Sequence, residues 1–234
     1  MAEPTGWQFW WTWAAEAGTA IGTIGAVIVA LFGGWLRAHL AAPRLEIRLG
    51  DRNGIYVPTL LDAGGEKIDT FSRWYHLRVE NKRRWSPANE VRVLLLKFEQ
   101  RDAAGQYQTT WVGELPLHWS NQQITPLAPT IGPAYDCVLC SVVRHPSGQH
   151  TLSVHPLIQP FNLTASWQAK VEFALTLQAR SLDSDSNVFR VVVAWDGHWI
   201  DDTIQMARHL VVKASSDLDM PSTAALPSRR GIGS

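Results

Sequence analysis

The sequence predicts a mainly β protein, an antiparallel β-sandwich carried behind one N-terminal transmembrane α-helix. Three observations lead there. The run from Ala14 to Leu36 holds a single ionisable residue, Glu16, at its outer edge. From Arg44 onward, apolar residues recur at every second position in several short stretches. Turn signals separate those stretches, and no long amphipathic helix interrupts them.

The helix comes first. About 20 apolar residues, rising ~1.5 Å each, span a hydrocarbon core of ~30 Å, so residues 14–36 are long enough to cross. Residues 1–13 are rich in tryptophan: Trp7, Trp10, Trp11 and Trp13 lie there beside Phe9, and Trp35 closes the far end of the run. Indole joins an apolar body to one N–H and settles at headgroup level, so these side chains read as a membrane belt. The alternative is a cleaved signal peptide ending near "RAHLAAP", which would release a secreted sandwich domain. Against it, no Lys or Arg precedes Arg37, and the apolar core exceeds the ~7–15 residues of a signal peptide. Arg37, Arg44 and Arg48 follow the run, whereas Glu3 and Glu16 precede it. By the positive-inside rule the N-terminus lies outside, and the domain after the 37–43 linker is cytoplasmic, at a bacterial inner membrane.

The same run carries a second pattern. Ala14, Gly18, Gly22, Ala26, Ala30 and Gly34 fall four residues apart without a break. Steps of four keep a slowly drifting stripe on one helix face, and small residues there let two backbones approach closely. Self-association through Gly18, Gly22, Ala26, Ala30 and Gly34 is therefore expected.

Residues 44–213 read as the sandwich. "RLEIRL" alternates Leu45, Ile47 and Leu49 with charged residues, and "WYHLRVEN" does the same with Tyr75, Leu77 and Val79. "WQAKVEFALTLQAR" places Trp167, Ala169, Val171, Phe173, Leu175 and Leu177 on one face, and "VFRVVVAW" continues with Phe189, Val191, Val193 and Trp195. Such alternation is that of half-buried strands. "VRVLLLKFE", "YDCVLCSVV", "HTLSV" and "RHLVVK" are further candidates, for seven to nine strands in all. Gly50 to Arg73 alternates only weakly and reads as a long connection. The tail, residues 214–234, lacks periodicity and reads as disordered.

The stretch "YHLRVENKRRWSPANEVRVLLLKFE", Tyr75 to Glu99, resembles the strand–turn–strand unit of immunoglobulin-like adhesion-type modules. Val79, Asn81, Ala88, Val91 and Val93 occupy the matching places, while Lys82 to Pro87 replace the usual glycine with a longer basic turn. The resemblance covers about 25 residues and implies an immunoglobulin-like sandwich, with nothing finer about function.

Charge excludes little. Lys+Arg and Asp+Glu both number 21, and the chain after the apolar run keeps only a slight basic excess, so nucleic acid is not an expected partner. Cys137, Cys140, His145 and His150 have the C-x2-C-x4-H-x4-H spacing of a zinc knuckle, and two thiolates with two imidazoles suit tetrahedral zinc. However, "CVLCSVV" is a strand sequence, and residues three apart on a strand point to opposite faces, so buried structural cysteines are the preferred reading. In "WDGHWIDD", Asp196, His198, Asp201 and Asp202 could hold a divalent ion, although Asp-Gly alone explains a solvated hairpin turn. Lys82, Arg83 and Arg84 beside Trp85 offer an anionic ligand or lipid headgroup both charge and a ring. "NLT" at Asn162 has the form of a glycosylation sequon, which matters only in a secretory lumen. No P-loop, G-x-S-x-G or HExxH is present.

The expectation is a non-enzymatic, cofactor-free, single-pass membrane protein. Its partners would be membrane lipid, further copies of itself, and a protein or small-molecule ligand. In architecture it is similar to bacterial membrane effectors of stress or phage defence. A metal-dependent enzyme or zinc-binding β domain is the alternative.

Overall fold

In a computed structural model the described residues are Thr19, 25–27, Ala30, 32–33, 42–63, 66–120 and 129–214. The chain divides into two compact units, Met1–Ala42 and Pro43–Ser234. In the first, Thr19, Gly25, Ala26, Val27, Ala30, Phe32 and Gly33 are helical. The tryptophan belt (Trp7, Trp10, Trp11, Trp13, Trp35), the stripe members Gly18, Gly22 and Gly34, and the tail beyond Ala214 lie outside the described residues. Among the described residues, no helix is long and apolar enough to cross a membrane.

The second unit is mainly β and wholly antiparallel. One sheet is built from β1 (Leu45–Leu49), β2 (Ile55–Ala63), β3 (Glu66–Asn81), β6 (Ala134–Arg144), β7 (His150–Val154) and β8 (Ser166–Trp167). Its order is β1-β3-β6-β7-β8, with β2 also paired to β3. The other sheet holds β4 (Arg92–Arg101), β5 (Tyr107–Pro116), β9 (Val171–Arg180), β10 (Phe189–Trp195) and β11 (Leu210–Ala214), in the order β11-β10-β9-β4-β5. A short helix, α1 (Thr203–His209), links the last two strands.

Alternation decides which side chains meet. Leu45, Ile47, Leu77, Val79 and Leu139 from the first sheet join Leu95, Phe98, Phe173, Leu175 and Val193 from the second in one apolar cluster. Phe98, Phe173 and Trp167 stack on one another, with ring centroids 4.9–5.7 Å apart. Burying a large aliphatic or aromatic side chain contributes roughly 1.5–3 kcal/mol, so this shared layer outweighs any single polar contact.

Two expectations change here. The stretch from Gly50 to Arg73 is largely strand: β2 runs against the first half of β3, from Ile55 opposite Trp74 to Ala63 opposite Glu66. Pro58 fits because β2 pairs on one side only, where a missing N–H costs no ladder bond. Second, Ala214 is the buried end of β11, so the β domain reaches one residue into the expected tail.

The segment resembling adhesion-type modules carries the chain from one sheet to the other. Asn81 is buried at the end of β3 and organises the turn that follows. Its Oδ1 accepts from the Arg44 and Arg83 backbone N–H groups at 3.2 and 3.0 Å, and its Nδ2 donates to the Ser86 carbonyl at 2.6 Å. Ala88 then exchanges both backbone hydrogen bonds with Ile131, at 3.0 and 2.8 Å. Val91 and Val93 enter the core behind it.

Leu77 sits in the second half of β3, opposite both Leu49 and Cys137, with no exposed surface. Leu77→Ala should lower unfolding stability by roughly 2–5 kcal/mol, read as a lower urea midpoint with an unchanged slope.

Candidate functional site

Polar chemistry gathers where β10 hands over to α1 and β11. Trp195, the last residue of β10, pairs with Leu210, the first of β11, so Asp196 and His209 face each other just beyond the ladder. The Asp196 N–H donates to the His209 carbonyl at 3.1 Å. Gly197 turns the chain at φ 95°, a conformation that suits glycine. His198 then donates its backbone N–H to Asp196 Oδ1 at 2.9 Å, and the buried Trp195 indole holds the His198 carbonyl at 2.9 Å.

The result is a carboxylate between two imidazoles. His209 Nδ1 lies 2.7 Å from Asp196 Oδ2, and His198 Nδ1 lies 3.2 Å from Oδ1. Partial burial pushes the Asp196 carboxyl up, but hydrogen bonds from the His198 backbone and both imidazoles outweigh it, leaving the pKa below the usual range. Among the described residues this is the one group of three or more His, Cys, Asp or Glu side chains close enough to share an ion.

Of the expected quartet Asp196, His198, Asp201 and Asp202, the structure keeps only the first two together. Asp201 turns to Arg144, at 3.2 Å, and to the Trp199 indole N–H, at 2.6 Å. Asp202 caps α1, accepting from the Gln205 N–H at 2.8 Å. His209 takes their place. Its signal in the sequence was the pairing of "VFRVVVAW" with "HLVVK", which brings His209 opposite Asp196 only once the register is known.

The zinc-knuckle set does not gather. Cys137 and Cys140 are free and fully buried in the core, and burial pushes both thiols up. They share a face, contrary to simple alternation, because the ladder between β3 and β6 skips Leu139: Tyr75 pairs with Cys140, and His76 with Val138. An extra residue restores the phase. His145 and His150 sit outside the core in the β6–β7 hairpin, where His145 Nε2 lies 3.1 Å from Thr151 Oγ1.

His145 and His150 instead line an open cleft of about 490 Å³ with Arg144, Trp199 and Asp201. Arg73 contacts the same Trp199 from within the protein. Its guanidinium is fully buried, and among the described residues it forms no ion pair with a carboxylate. It donates to the carbonyls of Asn53 (3.2 Å) and Asp201 (2.9 Å) and to Thr203 Oγ1 (3.1 Å). The rings of Tyr56 and Trp199 lie 5.5 and 6.0 Å from its central carbon, within cation–π range.

A serine–histidine pair also exists, with Ser141 Oγ 2.7 Å from His155 Nε2. Ser141 has no exposed surface, and the His155 ring stacks on Trp74 at 5.0 Å, so no substrate reaches this hydroxyl. The basic turn is more open. Lys82 is engaged by Glu80 and Glu46, Arg83 lies 5.9 Å from the ring of Trp85, Arg84 is exposed, and Trp85 is 68% exposed. No protein-family model matches the chain, and no curated protein matches it.

Two outcomes follow from these buried groups. Arg73→Lys keeps the charge but loses the planar fork, and should cost roughly 2–3 kcal/mol of stability, the scale of a charge-assisted hydrogen bond; chemical denaturation reads it. His155 is depressed by burial from 6.5 to about 4. The unfolded chain therefore takes up this proton first as pH falls, so the contribution of His155 is whole above 6.5 and is lost between there and about 4. His76, His118 and His150 are lowered by burial in the same direction. His155→Gln should flatten the fall in stability across that window by about 3 kcal/mol, measured as midpoints at successive pH values.

Proposed function

We propose that the chain is a non-enzymatic, single-pass membrane protein. Its helix, residues 14–36, runs from an outside N-terminus to a cytoplasmic β domain, in a bacterial inner membrane. The domain serves as an interaction or sensing module, and the helices self-associate through their stripe of small residues. The observation that carries this reading is the unbroken four-residue spacing of Ala14, Gly18, Gly22, Ala26, Ala30 and Gly34 inside a run whose one ionisable residue is at its edge. Helical Val27 and Phe32, 50% and 55% exposed, are apolar groups that gain from a lipid surrounding.

Sheet order supports an immunoglobulin-like relationship. β1-β3-β6 corresponds to strands A-B-E, and β5-β4-β9-β10 to C′-C-F-G. β7 lies where strand D would but follows E in the chain, and β2, β8 and β11 are additions. Such domains hold partners through loops and edges, which agrees with the exposed Trp85 in the turn after β3. Arg83, Arg84 and Trp85 suit an anionic ligand, of which the cytoplasmic leaflet is the nearest source at ~1 kcal/mol per basic residue.

The mechanism is proximity: helices that cluster bring their domains together, and a ligand bound by the domains shifts that clustering in return. The mass of the detergent-solubilised full chain tests it. Wild type should exceed the monomer, and Gly18→Leu/Gly22→Leu should fall to it, because two leucines hold the backbones apart. A wild type that is already monomeric would end the self-association reading.

A further inference from the structure

We propose that Asp196, His198 and His209 form a mononuclear site for a first-row divalent transition-metal ion of the zinc class, with water completing its coordination. This does not depend on the membrane reading above.

Donor type comes first. Two imidazoles and one carboxylate suit zinc, cobalt or nickel, whereas magnesium and calcium favour all-oxygen surroundings. Three protein ligands also leave a position for water or a ligand, as in zinc sites that are not purely structural.

Distances come next. With metal–ligand bonds of ~2.0–2.1 Å, neighbouring donors in a tetrahedral shell sit roughly 3.3 Å apart. Asp196 Oδ1 stands 3.2 Å from His198 Nδ1 and Oδ2 stands 2.7 Å from His209 Nδ1, so each imidazole already meets one carboxylate oxygen near a ligand–ligand spacing. All three donor atoms lie within 4.8 Å of one another. With one ligand atom from each residue, no pair has to close by more than about 1.5 Å, within reach of a side-chain rotation. The His198 side chain is 73% exposed and meets little resistance to it.

The backbone beneath is fixed independently of any ion. The register of β10 and β11 sets Asp196 against His209, the Trp195 indole pins His198, and α1 ends at His209. Ligands held on such a frame lose little entropy on binding. Charge points the same way. Among the described residues no Lys or Arg pairs with Asp196, whose side-chain partners are the two histidines.

The test uses the full chain without an affinity tag, solubilised in detergent and stripped with chelator. Cobalt(II) added alone should bind at one equivalent per chain with visible d–d absorption. Zinc should displace it, and excess magnesium should not. His198→Ala and His209→Ala should each weaken cobalt binding at least about tenfold, a loss that even outer-shell partners can cause. His145→Ala, at the neighbouring hairpin, should leave it unchanged. Because His198 is largely exposed, His198→Ala keeps the fold and decides the matter even if His209→Ala is unstable. Absence of saturable cobalt absorption, or an affinity that survives His198→Ala, would overturn the site.

Discussion

A guanidinium sealed from water dictates the shape of the polar end of this domain. An isolated buried ion costs several kcal/mol unless its donors are met, and Arg73 meets those of its two terminal nitrogens without a carboxylate, while its Nε–H is left without a hydrogen-bond partner. Its fork takes carbonyls from Asn53 and Asp201 and the hydroxyl of Thr203, while Tyr56 and Trp199 present their ring faces. Those partners come from the turn before β2 and from the approach to α1. Neither segment can drift without exposing or orphaning the charge, so Arg73 ties the approach of α1 to β3. The position of α1 in turn sets His209, and with it the imidazole–carboxylate trio. One costly burial therefore governs the cleft wall at Trp199 and the ligand geometry at Asp196.

How much of this could be read from sequence depended on the range of the signal. β1, β9 and β10 announced themselves, because Leu45/Ile47, Phe173/Leu175/Leu177 and Val191/Val193 alternate over enough residues to fix a face. β2 did not, since Pro58 and mixed side chains blur its alternation, although the Gly64-Gly65 pair after it is a hairpin signal. β5 was passed over because its buried residues, Trp111 and Leu115, are too few to set a period. Arg73 was legible in part: it is in phase with Tyr75, Leu77 and Val79, which marks it as inward. The partners that make an inward Arg tolerable lie about 130 residues away, beyond any local pattern.

The segment resembling adhesion-type modules shows why a short motif can predict local structure. Asn81 replaces backbone partners that the chain loses on leaving β3, using its acceptor for two N–H groups and its amide for one carbonyl. That role needs a short side chain with both functions, which only Asn supplies at that length. With the turn satisfied from within, the side chains of Arg84 and Trp85 stand exposed on its outer side.

The two candidate metal sets differ in how a ligand becomes available. A thiol must lose its proton to bind a metal, and the apolar packing around Cys137 and Cys140 resists that loss. Their sulfurs also belong to the core, so a metal there would have to displace the apolar side chains packed around them. Asp196 is charged before any ion arrives, its hydrogen bonds having overcome its partial burial. His198 and His209 meet it at the surface, where an incoming ion need shed its water on one side only. Ligand spacing in sequence favoured the cysteines; protonation and access favour the turn, because both follow from the pairing of β10 with β11.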